Sequence, residues 1–178
     1  PVLQYERGRN GYAAQTWSNA PNNRRIQVSW MAGGRYPEMP FNQQLSVPVE
    51  LSLAGSGGSV TLNRWPVHEL DLLRVRTVSV GRETISKDKP MVAQTDAKLM
   101  DVSFKVFRQS AKGFYVVVRG HPIVFDWDAM TLSVETSGKS KMTEDRPFVK
   151  LSETVMLDVR LIIDRTSIEV FLDGGSIS

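Results

Sequence analysis

The chain contains no cysteine and only two histidines. The first absence removes disulfides, thiolate nucleophiles and cysteine metal sites. The second leaves little for imidazole chemistry. His68 lies in a connector and His121 precedes a proline, and nothing in the sequence supplies the nucleophile elbow of a histidine-assisted triad. A histidine metal site needs two or three placed ligands, and no metal or other cofactor is expected. No apolar run reaches the roughly 18 residues that a membrane-spanning helix requires. The first residue, Pro1, opens no basic and apolar signal peptide, and a start at proline suggests a processed or excised piece. Concentrated positive charge is also lacking. The net charge is +3, and the basic residues are scattered, with Arg24–Arg25 and Lys139 with Lys141 as the densest clusters. A nucleic-acid binder gathers such charge and interleaves it with aromatics, so that partner is not expected.

What the chain does have is 41% hydrophobic and 23% charged residues, enough for a core in 178 residues. Period-2 alternation and β-branched residues dominate, with no internal repeat. "YAAQTWS" (12–18), "RRIQVSWM" (24–31), "NQQLSVPVELSLA" (42–54) and "SVTLNRW" (59–65) read as a four-stranded meander, with "GSGG" (55–58) as a turn. Pro48 interrupts the third strand and argues for an edge or a bulge. "PVHELDLLRVR" (66–76) reads as a short helix or extended connector, with Val67, Leu70 and Leu73 on one face. Strand signals resume with "TVSV" from about residue 77. They continue through "KLMDVSFKVF" (98–107), "GFYVVVRG" (113–120), "PIVFDWD" (122–128) and "MTLSVET" (130–136), and then a long polar loop at 135–147. Short strands at roughly ten-residue spacing suggest a β-sandwich.

Candidate chemistry is sparse. Asp126 and Asp128 sit two residues apart, a spacing of about 6.6 Å on a strand, where a retaining glycosidase needs two carboxyls about 5 Å apart. Between two strand signals, however, Asp is a turn former. Glu144–Asp145 lies in the polar loop and reads as solvated, and "GSGG" lacks the Gly-Lys-Ser/Thr of a phosphate loop. In "LDVRLIIDRTSIEVFLDGG" (157–175), Leu157, Val159, Leu161 and Ile163 share one strand face, with Asp158 and Arg160 opposite. After the turn "DRTS", Ile168, Val170 and Leu172 face inward, while Glu169 and Asp173 face out as the polar side of a hairpin. The aromatics Tyr12, Trp17, Trp30, Tyr36 and Phe41 crowd into the first 41 residues. Rings stack on the apolar faces of sugars, but they also anchor cores. Trp17 reads as a core anchor; for Trp30 and Tyr36, beside the "MAGGRYPEMP" loop, both readings stand.

The ordered set "YAAQTWSNAPNNRRIQVSWM", "MPFNQQLSVPVELSL", "RWPVHELDLLR", "GFYVVVRG", "VFDWDAMTLSV" and "DVRLIIDRTSIEVFLDGG" resembles the C-terminal part of glycoside hydrolase family 32, the levanases, inulinases and invertases. The resemblance implies an all-β fold: the last blade of a five-bladed β-propeller (1–63), a linker (64–76) and a β-sandwich (77–178). The parent would be a retaining β-fructofuranosidase, secreted or periplasmic, acting on a fructan or sucrose-type carbohydrate. Its catalytic carboxylates belong to motifs of earlier blades that do not occur here. Glu50 belongs to the Pro48-Val49-Glu50-Leu51 strand, and Asp145-Arg146-Pro147 runs in the wrong order for an Arg-Asp-Pro motif. The expected role is therefore non-catalytic, with the sandwich supporting the propeller. A lectin-like or oligomerisation module is the alternative, and a piece truncated at both ends the expectation. Relatives carry an aromatic shortly after the Trp-Met pair, where this chain has Ala32, Gly33 and Gly34. Tyr12, Trp30, Arg35 and Tyr36 are the expected substrate-binding residues. A blade without neighbours would expose a large apolar patch. Residues 1–63 are accordingly expected to fold back onto the sandwich, pair with another chain or be poorly ordered, and a homo-oligomer through exposed blade or sandwich faces is a further expectation.

Overall fold

The computed structural model describes residues 6–8, 10–32, 36, 38–55, 60–93, 95–135, 141–144 and 156–178. Four antiparallel strands come first: β1 (Gly11–Thr16), β2 (Arg25–Met31), β3 (Val49–Ala54) and β4 (Thr61–Pro66), paired in chain order. The third is shorter than the alternation over 42–54 suggests. Pro48 has no N–H to give a ladder, and its carbonyl instead accepts the Val67 amide at 3.1 Å. Leu45 forms only an isolated bridge with Trp30. The "GSGG" turn falls largely outside the described residues.

A 3-10 helix, His68–Leu73, follows. Pro66 closes β4 instead of opening this helix, and Leu73 is exposed while Val67 is buried. The expected apolar face is therefore absent. The "TVSV" stretch forms no strand either: Val78 and Val80 are exposed, and the described residues between the helix and residue 100 hold no ladder. Alternation alone did not supply a partner edge.

Seven further strands form two sheets. β5 (Met100–Phe107), β10 (Met156–Ile163) and β11 (Ile168–Leu172) make one, in the order β11-β10-β5. β6 (Gly113–Val118), β7 (His121–Asp126), β8 (Thr131–Glu135) and β9 (Lys141–Glu144) make the other, in chain order. β9 arises within the stretch read as a polar loop, by pairing with β8; the remainder of 136–150 lies outside the described residues. The whole is mostly β, and none of the three sheets closes on itself.

The β5- and β6-containing sheets share one core. Leu157, Val159, Leu161 and Ile163 point from β10 toward Val118, Ile123 and Phe125, with Leu172 and Ile177 completing the cluster. Full burial of each such side chain is worth about 1.5–3 kcal/mol. Phe114 stacks on Phe125 at 4.2 Å and meets Phe104 of the opposite sheet edge-on at 6.4 Å. Asp126 ends β7 and turns the chain, its Oδ1 accepting the Ala129 amide at 2.8 Å, while Asp128 pairs with Arg108.

Candidate functional site

Two places gather functional side chains, both involving the first sheet. On β1 and β2, Tyr12 pairs directly across from Trp30, their ring centroids 6.0 Å apart and tilted by 58°. A bulge follows at once: the register shifts between Tyr12 and Gln15, and Ala13 adopts φ 47°. Such a bulge re-aims a side chain and breaks the alternation read over 12–18. Tyr12 is consequently 65% exposed. Trp30 donates its indole N–H to Gln43 Oε1, leaving one face of the pair bordered by an amide. Exposed ring faces beside amide groups suit a polyhydroxylated ligand.

Tyr36 does not join this pair. It packs against Phe41 at 5.5 Å and donates its hydroxyl to the Met31 carbonyl at 3.3 Å. Arg35 lies outside the described residues. Trp17 is 48% exposed and is not a core anchor; it follows β1, the edge strand of its sheet among the described residues.

The second place is a cleft of about 250 Å³ between the first sheet and β10, lined by Glu50, Ser52, Trp65, Pro66, His68, Asp71 and Arg160. Its carboxylates are held by guanidinium groups. Arg24 bridges Glu50 at 2.8 Å and Glu69 at 2.6 and 3.0 Å. The Arg24 hydrogen bond is the main reason Glu69 is lowered to about 2. Arg160 donates to Asp101 through Nε and Nη2, both at 2.9 Å, and to Asp71 at 3.0 Å, and it lies 5.7 Å from the Trp65 ring. Burial alone would raise Asp101, but Arg160 and Arg74 together hold it below the ordinary carboxylate range.

This corrects the reading of the closing hairpin. Arg160 is 5% exposed and does not face solvent. The first sheet covers that side of the hairpin: Trp65 meets Phe171 at 6.2 Å, Arg64 donates to Ser178 Oγ at 2.7 Å, and Glu169 accepts the Val47 amide at 3.0 Å. Asp173 accepts the Asp158 amide, and burial raises it. Alternation marks the polar face of a strand but carries no sign of what covers it. The nearest signal is arginine at 64 and 160 inside alternating strand runs, each needing a partner if buried.

Among the described residues no three His, Asp or Glu side chains converge as a metal site, and no helix is long and apolar enough to cross a membrane.

Comparison with known proteins gives a consistent result. The N-terminal domain of glycosyl hydrolases family 32 matches residues 1–66. The levanase of Bacillus subtilis (strain 168) is 30% identical over 195 aligned residues, covering 98% of this chain and 29% of the levanase. Sucrose-6-phosphate hydrolase of Escherichia coli is 23% identical, covering 97% of this chain and 36% of that protein. The chain thus spans about a third of the length of these curated relatives. Among solved structures, exo-inulinase from Aspergillus awamori superposes with a TM-score of 0.71 at 18% identity, covering 97% of this chain and 37% of that one. The β-fructofuranosidase from Schwanniomyces occidentalis, complexed with fructosyl-erythritol, superposes with a TM-score of 0.73 at 16% identity, covering 97% and 41%.

Proposed function

Since the chain belongs to glycoside hydrolase family 32, we propose that it is a non-catalytic part of a retaining β-fructofuranosidase. In this reading residues 1–63 are the last propeller blade, 64–76 the linker and 77–178 a β-sandwich that supports the propeller. The observation that carries it is the alignment with a levanase along 98% of the chain. The guanidinium-locked carboxylates agree with it. Retaining hydrolysis needs one carboxylate free to attack and a second free to donate a proton, and Glu50, Glu69, Asp71 and Asp101 are engaged with arginines. The whole protein acts on a fructan or sucrose-type carbohydrate outside the cytoplasm, with Tyr12, Trp30, Arg35 and Tyr36 as its substrate-binding residues in this part of the chain.

The purified 178-residue chain should release no fructose from levan, inulin or sucrose; measurable release sinks the proposal. Calorimetric titration with levan and inulin oligosaccharides should give weak binding that disappears in Tyr12→Ala. The second reading, a lectin-like module, is favoured by the cleft beneath Trp65. It requires binding that survives Tyr12→Ala and falls when Trp65 is replaced. Self-association through exposed apolar side chains such as Leu53 and Val60 would appear as a dimer by light scattering.

A further inference from the structure

A carboxylate sits where the first sheet meets the β10–β11 hairpin. Stretch 44–47 is bonded on one side to β2: the Met31 amide donates to the Gln44 carbonyl at 2.9 Å, and the Ser46 amide to the Ser29 carbonyl at 2.8 Å. On its other side it is bonded to the hairpin. Gln44 Nε2 donates to Ser167 Oγ at 3.0 Å, Thr166 Oγ1 donates to Gln44 Oε1 at 2.6 Å, and the Val47 amide donates to Glu169 Oε1 at 3.0 Å.

The charges facing Glu169 are Glu6, Arg64 of β4 and Asp164 at the hairpin turn. Arg64, the cation among them, is committed elsewhere: it donates to Glu6 at 3.1 Å, Gln27 at 3.0 Å and Ser178 at 2.7 Å. Glu6 also accepts the Ser29 hydroxyl. Among the described residues Glu169 therefore has one amide donor, two like charges and a cation already spoken for.

We propose that Glu169 is a proton-operated latch between the first sheet and the hairpin, seating stretch 44–47 firmly when neutral and loosening it when ionised. Burial, more than the neighbouring Glu6 and Asp164 charges, lifts its carboxyl to about 7, against the pull of the Val47 amide and Arg64. The sign follows from linkage. The docked form holds the proton above the ordinary value of 4.5, so docking is strongest below that value. It weakens as pH rises through about 7 and is level beyond.

The test is amide hydrogen exchange on the 178-residue chain. The protection factor of the Val47 amide should fall at least about tenfold between pH of about 5 and about 8, the equivalent of one unit of pKa difference. Amides of the β10 core should keep theirs. Glu169→Gln keeps an acceptor at Oε1 without titrating, and Val47 protection should then be level across the range. Equal protection of Val47 in the unsubstituted chain, a fall shared by β10, or an undiminished fall in Glu169→Gln each overturns the proposal. If Glu169→Gln does not fold, Asp164→Asn decides: removing that like charge should move the midpoint of the fall to lower pH, and an unmoved midpoint overturns the latch.

Discussion

On the inner side of the β10–β11 hairpin, Leu157, Val159, Leu161, Ile163 and Leu172 are no more than 3% exposed and belong to one apolar cluster. On the outer side, Arg160 and Phe171 are nearly as buried, at 5% and 2%, yet their surroundings are Trp65, Asp71 and Asp101. One backbone thus carries two interfaces of different kinds. The inner one draws on area removed from water, which tolerates no loss of volume. The outer one draws on charges taken out of water only because each has a partner, and such a contact responds to pH and to the loss of either member. The carboxylates even respond in opposite directions. Asp101 is held below its ordinary value, so its contribution is complete above pH 3.8 and is lost as pH falls through its lowered value. Glu169, held above its own, contributes most in acid.

Substitutions on the two sides should separate these mechanisms. Leu161→Ala, at the centre of the inner face, should cost about 2–5 kcal/mol in urea unfolding, through lost transfer energy and the cavity left behind. A cost below about 1 kcal/mol would mean that the two sheets can close over the gap. Arg160→Ala should cost about 2 kcal/mol, less than the rupture of an isolated buried pair, because Asp101 keeps the Arg74 guanidinium at 3.0 Å. The difference between this variant and the unsubstituted chain should shrink in acid, as pH falls through the lowered value of Asp101. Gly175→Ala tests the join between hairpin and first sheet. Gly175 has φ 93°, and a Cβ there would overlap the Arg64 carbonyl. A cost of about 1–3 kcal/mol is expected from the strained dihedral and the displaced strand. Tyr12→Ala should be nearly neutral, within about 0.5 kcal/mol, since the ring is exposed. A larger cost would place Tyr12 in the support of the sheet and not on a binding ledge.

Much of the architecture was readable from the chain because it depends on local alternation. β5 to β8 and β10 to β11 fall within the segments whose apolar residues alternate, and Asp126 forms the turn its position between two strands implies. Residues 77–80 alternate equally well and form no strand, because a strand also needs an edge to pair with, and pattern carries no record of edges. The candidate site was half legible. Tyr12 and Trp30 come together as a cross-strand pair, whereas the bulge at Ala13 that presents Tyr12 depends on a φ value no residue type there announces. The burial of Arg160 and the partial burial of Glu169 were hidden for a different reason. Both are created by residues 47, 65 and 71, about a hundred positions away along the chain.

Residues 74–93 run exposed beside this assembly, Val75 wholly so, with little beyond the paired Ser86 and Lys89 amides to hold their main chain. Arg76, Arg82 and Lys87 offer a trypsin-like protease several cutting points there. Asp71, Trp65, Arg64 and Val47 lie upstream of every one of those points, and Arg160, Phe171, Ser178 and Glu169 lie downstream. A single nick should therefore leave two fragments that travel together on gel filtration and part only in denaturant, so that the covalent connection is dispensable once the halves have met.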